Sequence, residues 1–175
     1  MTRIAALKAP LDTLAAGARR TFLEHGSHPV TACIYLAGGT PLRFEAPSGS
    51  SENLAIVRQL FEMAARGGAE ACAVVTEGWS VEGVERALAW KKRGRSLADV
   101  PGRSEILVVA IASPAGLMDH RYRIRRAGAR VTLEDLGDNA MSFNRLLTGL
   151  PWPVRPGPRG KRSGRDRRCH TGPLR

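Results

Sequence analysis

Two short apolar runs constrain the fold of this chain more than any other feature. One extends from Ala69 to Trp79 (AEACAVVTEGW) and the other from Glu105 to Ala112 (EILVVAIA), and turn-forming residues bound both. Runs of this length are typical of buried β-strands. A membrane-spanning helix needs about 18–20 consecutive apolar residues, so we expect no membrane insertion. The sequence therefore predicts a globular protein built around buried strands.

Helices and further strands surround these runs. Residues 1–25 are amphipathic, as organellar transit peptides are. Their apolar residues follow helical spacing, so we favour an ordinary helix whose apolar stripe faces the core. Residues 30–36 and 42–46 form a predicted hairpin with a half-buried second strand, and residues 48–68 hold a second predicted helix with serines at its entrance and Gly67-Gly68 at its exit. Residues 80–103 read as a long connection, residues 117–136 continue the sheet as a meander, and residues 141–148 are predicted to form a closing helix.

This order of elements favours sequential strand pairs over parallel crossovers. We predict a single α+β domain over residues 1–151. It contains a mostly antiparallel or mixed sheet of about six strands, with two or three helices packed on one face. Residues 152–175 are predicted to form a disordered basic tail.

The tail carries most of the charge. Residues 152–175 hold seven Arg and one Lys against Asp166 alone, a net charge of +7 out of +11 for the chain. Such a segment can bind polyanions, and the candidate residues in it are Arg162, Arg165, Arg167 and Arg168. It lacks the interleaved aromatic residues that stack on bases, so a solubilising tail is the favoured interpretation.

A second basic feature lies in the meander. Arg121, Arg123 and Arg125 alternate with apolar residues and would share one face of a strand, where they are further candidates for polyanion binding. The favoured alternative is a solvated face on which Glu134 and Asp135 pair with the arginines across the sheet. Nucleic acid is thus a possible partner but not the favoured one.

A pocket is the third candidate site. Glu77 and Trp79 stand where a buried strand reaches the long connection, and Trp90 could fold over them. A single carboxylate does not define acid–base catalysis, and packing of Trp79 against the sheet is the alternative. The sequence contains no nucleophile elbow, P-loop or zinc motif, and we expect no cofactor and no metal. The three cysteines predict a reducing compartment, hence the cytoplasm.

Short motifs around these strands are similar to those of a group of small uncharacterised bacterial and phage-borne proteins. The group has an acid-small-Trp element at a strand end, matched here by Glu77, Gly78 and Trp79. A Pro-Arg-Glu approach to the next strand is matched by Pro101, Arg103 and Glu105. The resemblance covers residues 20–137 and implies the same order of elements, but no activity. We expect a non-catalytic binding or accessory module, with nucleic-acid association and an enzyme near Glu77 as alternatives.

Overall fold

A computed structural model describes residues 6–46, 51–81, 89–90, 92–94, 96–139 and 146–153. Within these described ranges, two α-helices and six strands follow one another: α1 Lys8–His25, β1 Val30–Tyr35, β2 Leu42–Ala46, α2 Ser51–Arg66, β3 Ala71–Ser80, β4 Ser104–Ser113, β5 Gly116–Ala127 and β6 Arg130–Asn139; a short 3-10 helix, Leu97–Asp99, precedes β4. The six strands form one antiparallel sheet in the order β2-β1-β3-β4-β5-β6. The predicted α+β class and antiparallel sheet are confirmed.

The two helices cover opposite faces of this sheet. Leu11, Ala15, Ala18 and Phe22 of α1 pack on one face, against side chains such as Leu107. On the other face, α2 packs its own apolar residues (Val57, Phe61 and Ala65) against side chains that include Ile34 and Val74.

The prediction that the helices share one face is therefore wrong. Strands β3 and β4 carry apolar side chains towards both faces. Each face needs a cover, because a run without polar alternation exposes apolar surface on whichever side is left open.

Sequence signals account for the helix boundaries. Gly26 ends α1 in the left-handed conformation, at φ 71°, and its N–H donates to the carbonyl of Phe22 at 2.7 Å. Such a cap favours glycine because a side chain is strained there. α2 ends where Gly67 donates to the carbonyl of Met63 at 2.9 Å.

The C-terminal part of the described chain closes the α2 face. Leu146, Leu147 and Leu150 are buried there, and Trp152 packs against the same cluster. Arg58 of α2 donates to the carbonyls of residues 146 and 148, at 3.2 and 2.7 Å. Trp152 thus belongs to the folded part, although the sequence assigned it to the tail. Most of the predicted closing helix (141–145) and the tail from residue 154 lie outside the described residues.

A bulge interrupts the pairing of β5 with β6. Arg121 lies opposite Gly137 but Tyr122 lies opposite Asp135, so Leu136 is the extra residue. Gly137 follows it at a φ of 78°, a conformation that suits glycine. Asp135 and Asp138 are three residues apart and would face opposite sides of a regular strand, but the bulge turns both towards the α1 face.

Candidate functional site

The predicted pocket residue Glu77 lies on the α1 face, where its carboxylate has structural partners. Oε1 accepts a hydrogen bond from the backbone N–H of His28 at 2.5 Å, and Oε2 lies 3.6 Å from the guanidinium of Arg126. Arg126 also donates twice to Glu105, at 2.9 Å each, and to the carbonyl of Gly26 at 2.9 Å. The hydrogen bonds to Glu105 raise the pKa of Arg126, although burial opposes them.

Arg126 therefore connects the C-terminal end of α1 to strands β3, β4 and β5. Glu77 is one of the residues in this tie. A carboxylate that already accepts a backbone N–H and faces a guanidinium has both oxygens engaged, so it is poorly placed to contact a substrate.

Trp79 and Trp90 do not add a catalytic partner to Glu77. The guanidinium of Arg103 stacks on the ring of Trp79, 4.7 Å from its centroid. This cation–π contact joins two of the residues that carry the resemblance to the phage-borne group. Trp90 is half-buried, and it lies in the part of the connection that the structure describes only in pieces. The expected fold of Trp90 over Trp79 remains a prediction.

Arg121, Arg123 and Arg125 lie on one face of β5, as predicted, and each forms an ion pair with an acidic side chain. Arg121 donates twice to Asp119, at 2.7 and 3.2 Å, while Arg123 and Arg125 both reach Glu134. The hydrogen bond from Arg125 lowers the pKa of Glu134. Pairing of the stripe with Glu134 agrees with the favoured interpretation, but Asp135 lies on the opposite face.

Asp119 is the feature of this face that sequence reasoning missed. Its side chain is 1% exposed, and Oδ1 has no hydrogen-bond partner among the described residues. Arg121 is the counter-charge that the described chain supplies. A buried carboxylate of this kind is costly without its partner, so the pair has a structural role whether or not the stripe binds a ligand.

A second missed cluster surrounds His120 on the α1 face. Nδ1 of His120 lies 2.6 Å from Asp138, and Nε2 lies 3.1 Å from Asp135. Lys8 of α1 contacts Asp138 at 2.7 Å. Burial acts to raise the pKa of Asp138, but the hydrogen bonds from Lys8 and His120 bring it below its usual value.

Nδ1 of His120 is hydrogen-bonded to Asp138. Nε2 lies near Asp135 but makes no hydrogen bond with the described residues, and it has almost no solvent contact, so neither nitrogen is open to a substrate. The cluster joins the start of α1 to the bulge. In the sequence, Gly137 could have indicated this bulge, because a glycine inside a strand often marks one.

The α2 side of the sheet presents a different kind of surface. Strand β2 forms one edge of the sheet, and its Leu42 and Phe44 side chains are 47% and 40% exposed. The prediction that β2 is half-buried is therefore wrong, because α2 lies over β1 and β3 and does not cover the edge strand. An apolar groove of about 210 Å³ separates β2 from α2; its lining includes Phe44, Ala46, Ile56 and Leu60. We call this combined surface the β2–α2 edge.

The opposite edge of the sheet is protected. Strand β6 carries the bulge at Leu136 and the ion pairs of Glu134 and Asp138. Bulges and charges are the devices by which native sheets prevent pairing at an edge. Strand β2 also carries one ion pair, between Arg43 and Glu45, but it has no bulge in its register with β1 and its α2-facing side chains are apolar.

Other kinds of site find less support in the described part of the chain. No group of three or more His, Cys, Asp or Glu residues there could hold a metal ion. No helix among the described residues is long and apolar enough to cross a membrane. Cys33 and Cys72 are buried free thiols, and burial raises the pKa of Cys72 to about 12. Comparison with models of known families, with curated proteins and with solved structures finds no match.

Proposed function

We propose that this chain is a non-catalytic binding module that recognises a protein partner at the β2–α2 edge. The observation that carries the proposal is the exposure of Leu42 and Phe44 on an edge strand next to an apolar groove. An edge strand offers outward N–H and C=O groups to a polypeptide, and the neighbouring apolar side chains offer specificity. Clustered apolar exposure of this kind marks interaction sites.

The alternatives have less support from the same geometry. The arginine stripe has acidic partners, so an incoming polyanion must compete with Asp119 and Glu134 for its cations. Glu77 is engaged by His28 and Arg126, so this candidate offers the pocket no free carboxylate for acid–base chemistry. Candidates in the tail, Arg162 among them, lie outside the described residues and stay predictions. A cytoplasmic location is also proposed, because the described cysteines are free thiols.

Photo-crosslinking tests the proposed surface. A benzophenone amino acid replaces either Leu42 or Leu136, two leucines of similar exposure (47% and 42%) on opposite edges of the sheet. After irradiation of cells that produce the chain, the position-42 variant should give an adduct of one discrete mass, and the position-136 variant should not. Adding Phe44→Lys should abolish the adduct. Equal labelling at both positions, or no adduct at position 42, would contradict the proposal.

A further inference from the structure

We infer that the polypeptide bound at the β2–α2 edge is a second copy of this chain, paired antiparallel through β2. This inference rests on the proposed function and names its partner. A two-fold axis perpendicular to the sheet would join the two β2 strands into one continuous sheet, with the same surface used by both copies. The sequence of β2, Leu42-Arg43-Phe44-Glu45-Ala46, is what selects the partner.

Charge complementarity defines one register. With Phe44 on the axis, Arg43 of each copy lies opposite Glu45 of the other, and Leu42 lies opposite Ala46. Opposite charges directly across an antiparallel pair stabilise it, and like charges destabilise it. Moving the axis to Arg43 places two arginines opposite each other, and moving it to Glu45 places two glutamates opposite each other. Only the register centred on Phe44 pairs opposite charges.

The two faces of β2 agree with the same register. Phe44 lies opposite Ala32 of β1, and Leu42 lies opposite Ile34, so both side chains point to the α2 face. A two-fold axis perpendicular to the sheet preserves the faces, because directly opposite residues point to the same side. The two Phe44 rings would meet beside the groove and cover each other. Arg43 and Glu45 share the other face, where they form an ion pair within the strand.

Charge reversal tests this register in the full-length chain. The wild type should be a dimer by sedimentation velocity and by light scattering. Arg43→Glu places Glu opposite Glu45 twice, and Glu45→Arg places Arg opposite Arg43 twice. Each variant should weaken dimerisation roughly tenfold or more. The double variant Arg43→Glu/Glu45→Arg restores both opposite-charge pairs and should dimerise like the wild type.

Mixing the two single variants provides the decisive measurement. An Arg43→Glu chain has two glutamates on this face and a Glu45→Arg chain has two arginines, so their mixture should form a heterodimer that is tighter than the homodimer of either single variant. If one variant carries an affinity tag, native mass spectrometry distinguishes the heterodimer from the two homodimers by mass. Arg20→Glu, an equal charge change on the exposed face of α1, should leave the wild-type dimer unchanged. Circular dichroism should show that every variant is folded.

Three results would overturn the inference: a monomeric wild type at all concentrations, a dimer that ignores the single charge reversals, or two single variants that fail to combine. If the wild type is monomeric but Leu42 still crosslinks to one different protein, self-pairing fails while the proposed function stands. If neither dimer nor adduct forms, both fail.

Discussion

Replacing Arg121 with leucine should destabilise the folded state by about 3 kcal/mol, because it leaves the buried Asp119 carboxylate without its described counter-charge. Asp119 is 1% exposed, and both hydrogen bonds that its Oδ2 accepts come from Arg121. Breaking a buried ion pair by removing one partner costs about 3–5 kcal/mol. The lower end applies because the Arg121 side chain is 31% exposed, so water can replace part of its contribution.

Urea unfolding followed by circular dichroism, at one fixed protein concentration, measures this loss. A thermal melt provides a second measurement, in which a loss of about 3 kcal/mol in a chain of this length lowers Tm by roughly 6–12 °C. Arg125→Leu is the matched control, since it removes a neighbouring arginine whose partner Glu134 is exposed. It should have a much smaller effect.

A second variant separates the charge from the packing of the arginine stem. Asp119→Asn removes the buried charge, so Asp119→Asn/Arg121→Leu should recover a large part of the stability that Arg121→Leu loses. Equal destabilisation by Arg121→Leu and Arg125→Leu, or no recovery in the double variant, would refute the reasoning.

Two further predictions concern the α1 face and the thiols. Arg126→Ala should lower the free energy of unfolding by about 1–3 kcal/mol, because Glu77 and Glu105 lose their shared cation; an unchanged urea midpoint would show that the tie is unimportant. Folding favours the protonated Cys72 thiol, so its contribution to stability is present below pH 9 and declines as pH rises towards 12. In a Cys169→Ser variant the remaining thiols, Cys33 and Cys72, are both buried. This variant should react with Ellman's reagent at pH 8 only as fast as it unfolds, and rapid labelling of the folded protein would contradict this.

The sequence predicted the strands well, because each carries a local signal. The β1–β2 hairpin has a glycine turn between alternating residues, and β3 and β4 are short apolar runs bounded by turns. The side on which each helix packs has no local signal. It could still have been inferred, since the apolar runs of β3 and β4 leave no polar face exposed.

The missed features depend on residues that are distant along the chain. Arg126 meets Glu77, Glu105 and the carbonyl of Gly26 only after the sheet has formed. The exposure of Phe44 depends on where α2 comes to lie, and alternation alone predicts a buried face. The His120 cluster required the bulge at Leu136, which a single glycine in the strand could suggest but not position.

Hydrogen exchange of β2 amides tests most directly whether the edge is covered in solution. Outward amides of residues 42–46 are open to solvent in the monomer and hydrogen-bonded in the pair, so their exchange should slow as protein concentration rises through the dimer range. Amides of β6 should show no such dependence. Exchange in residues 42–46 that stays fast and independent of concentration would contradict pairing through β2.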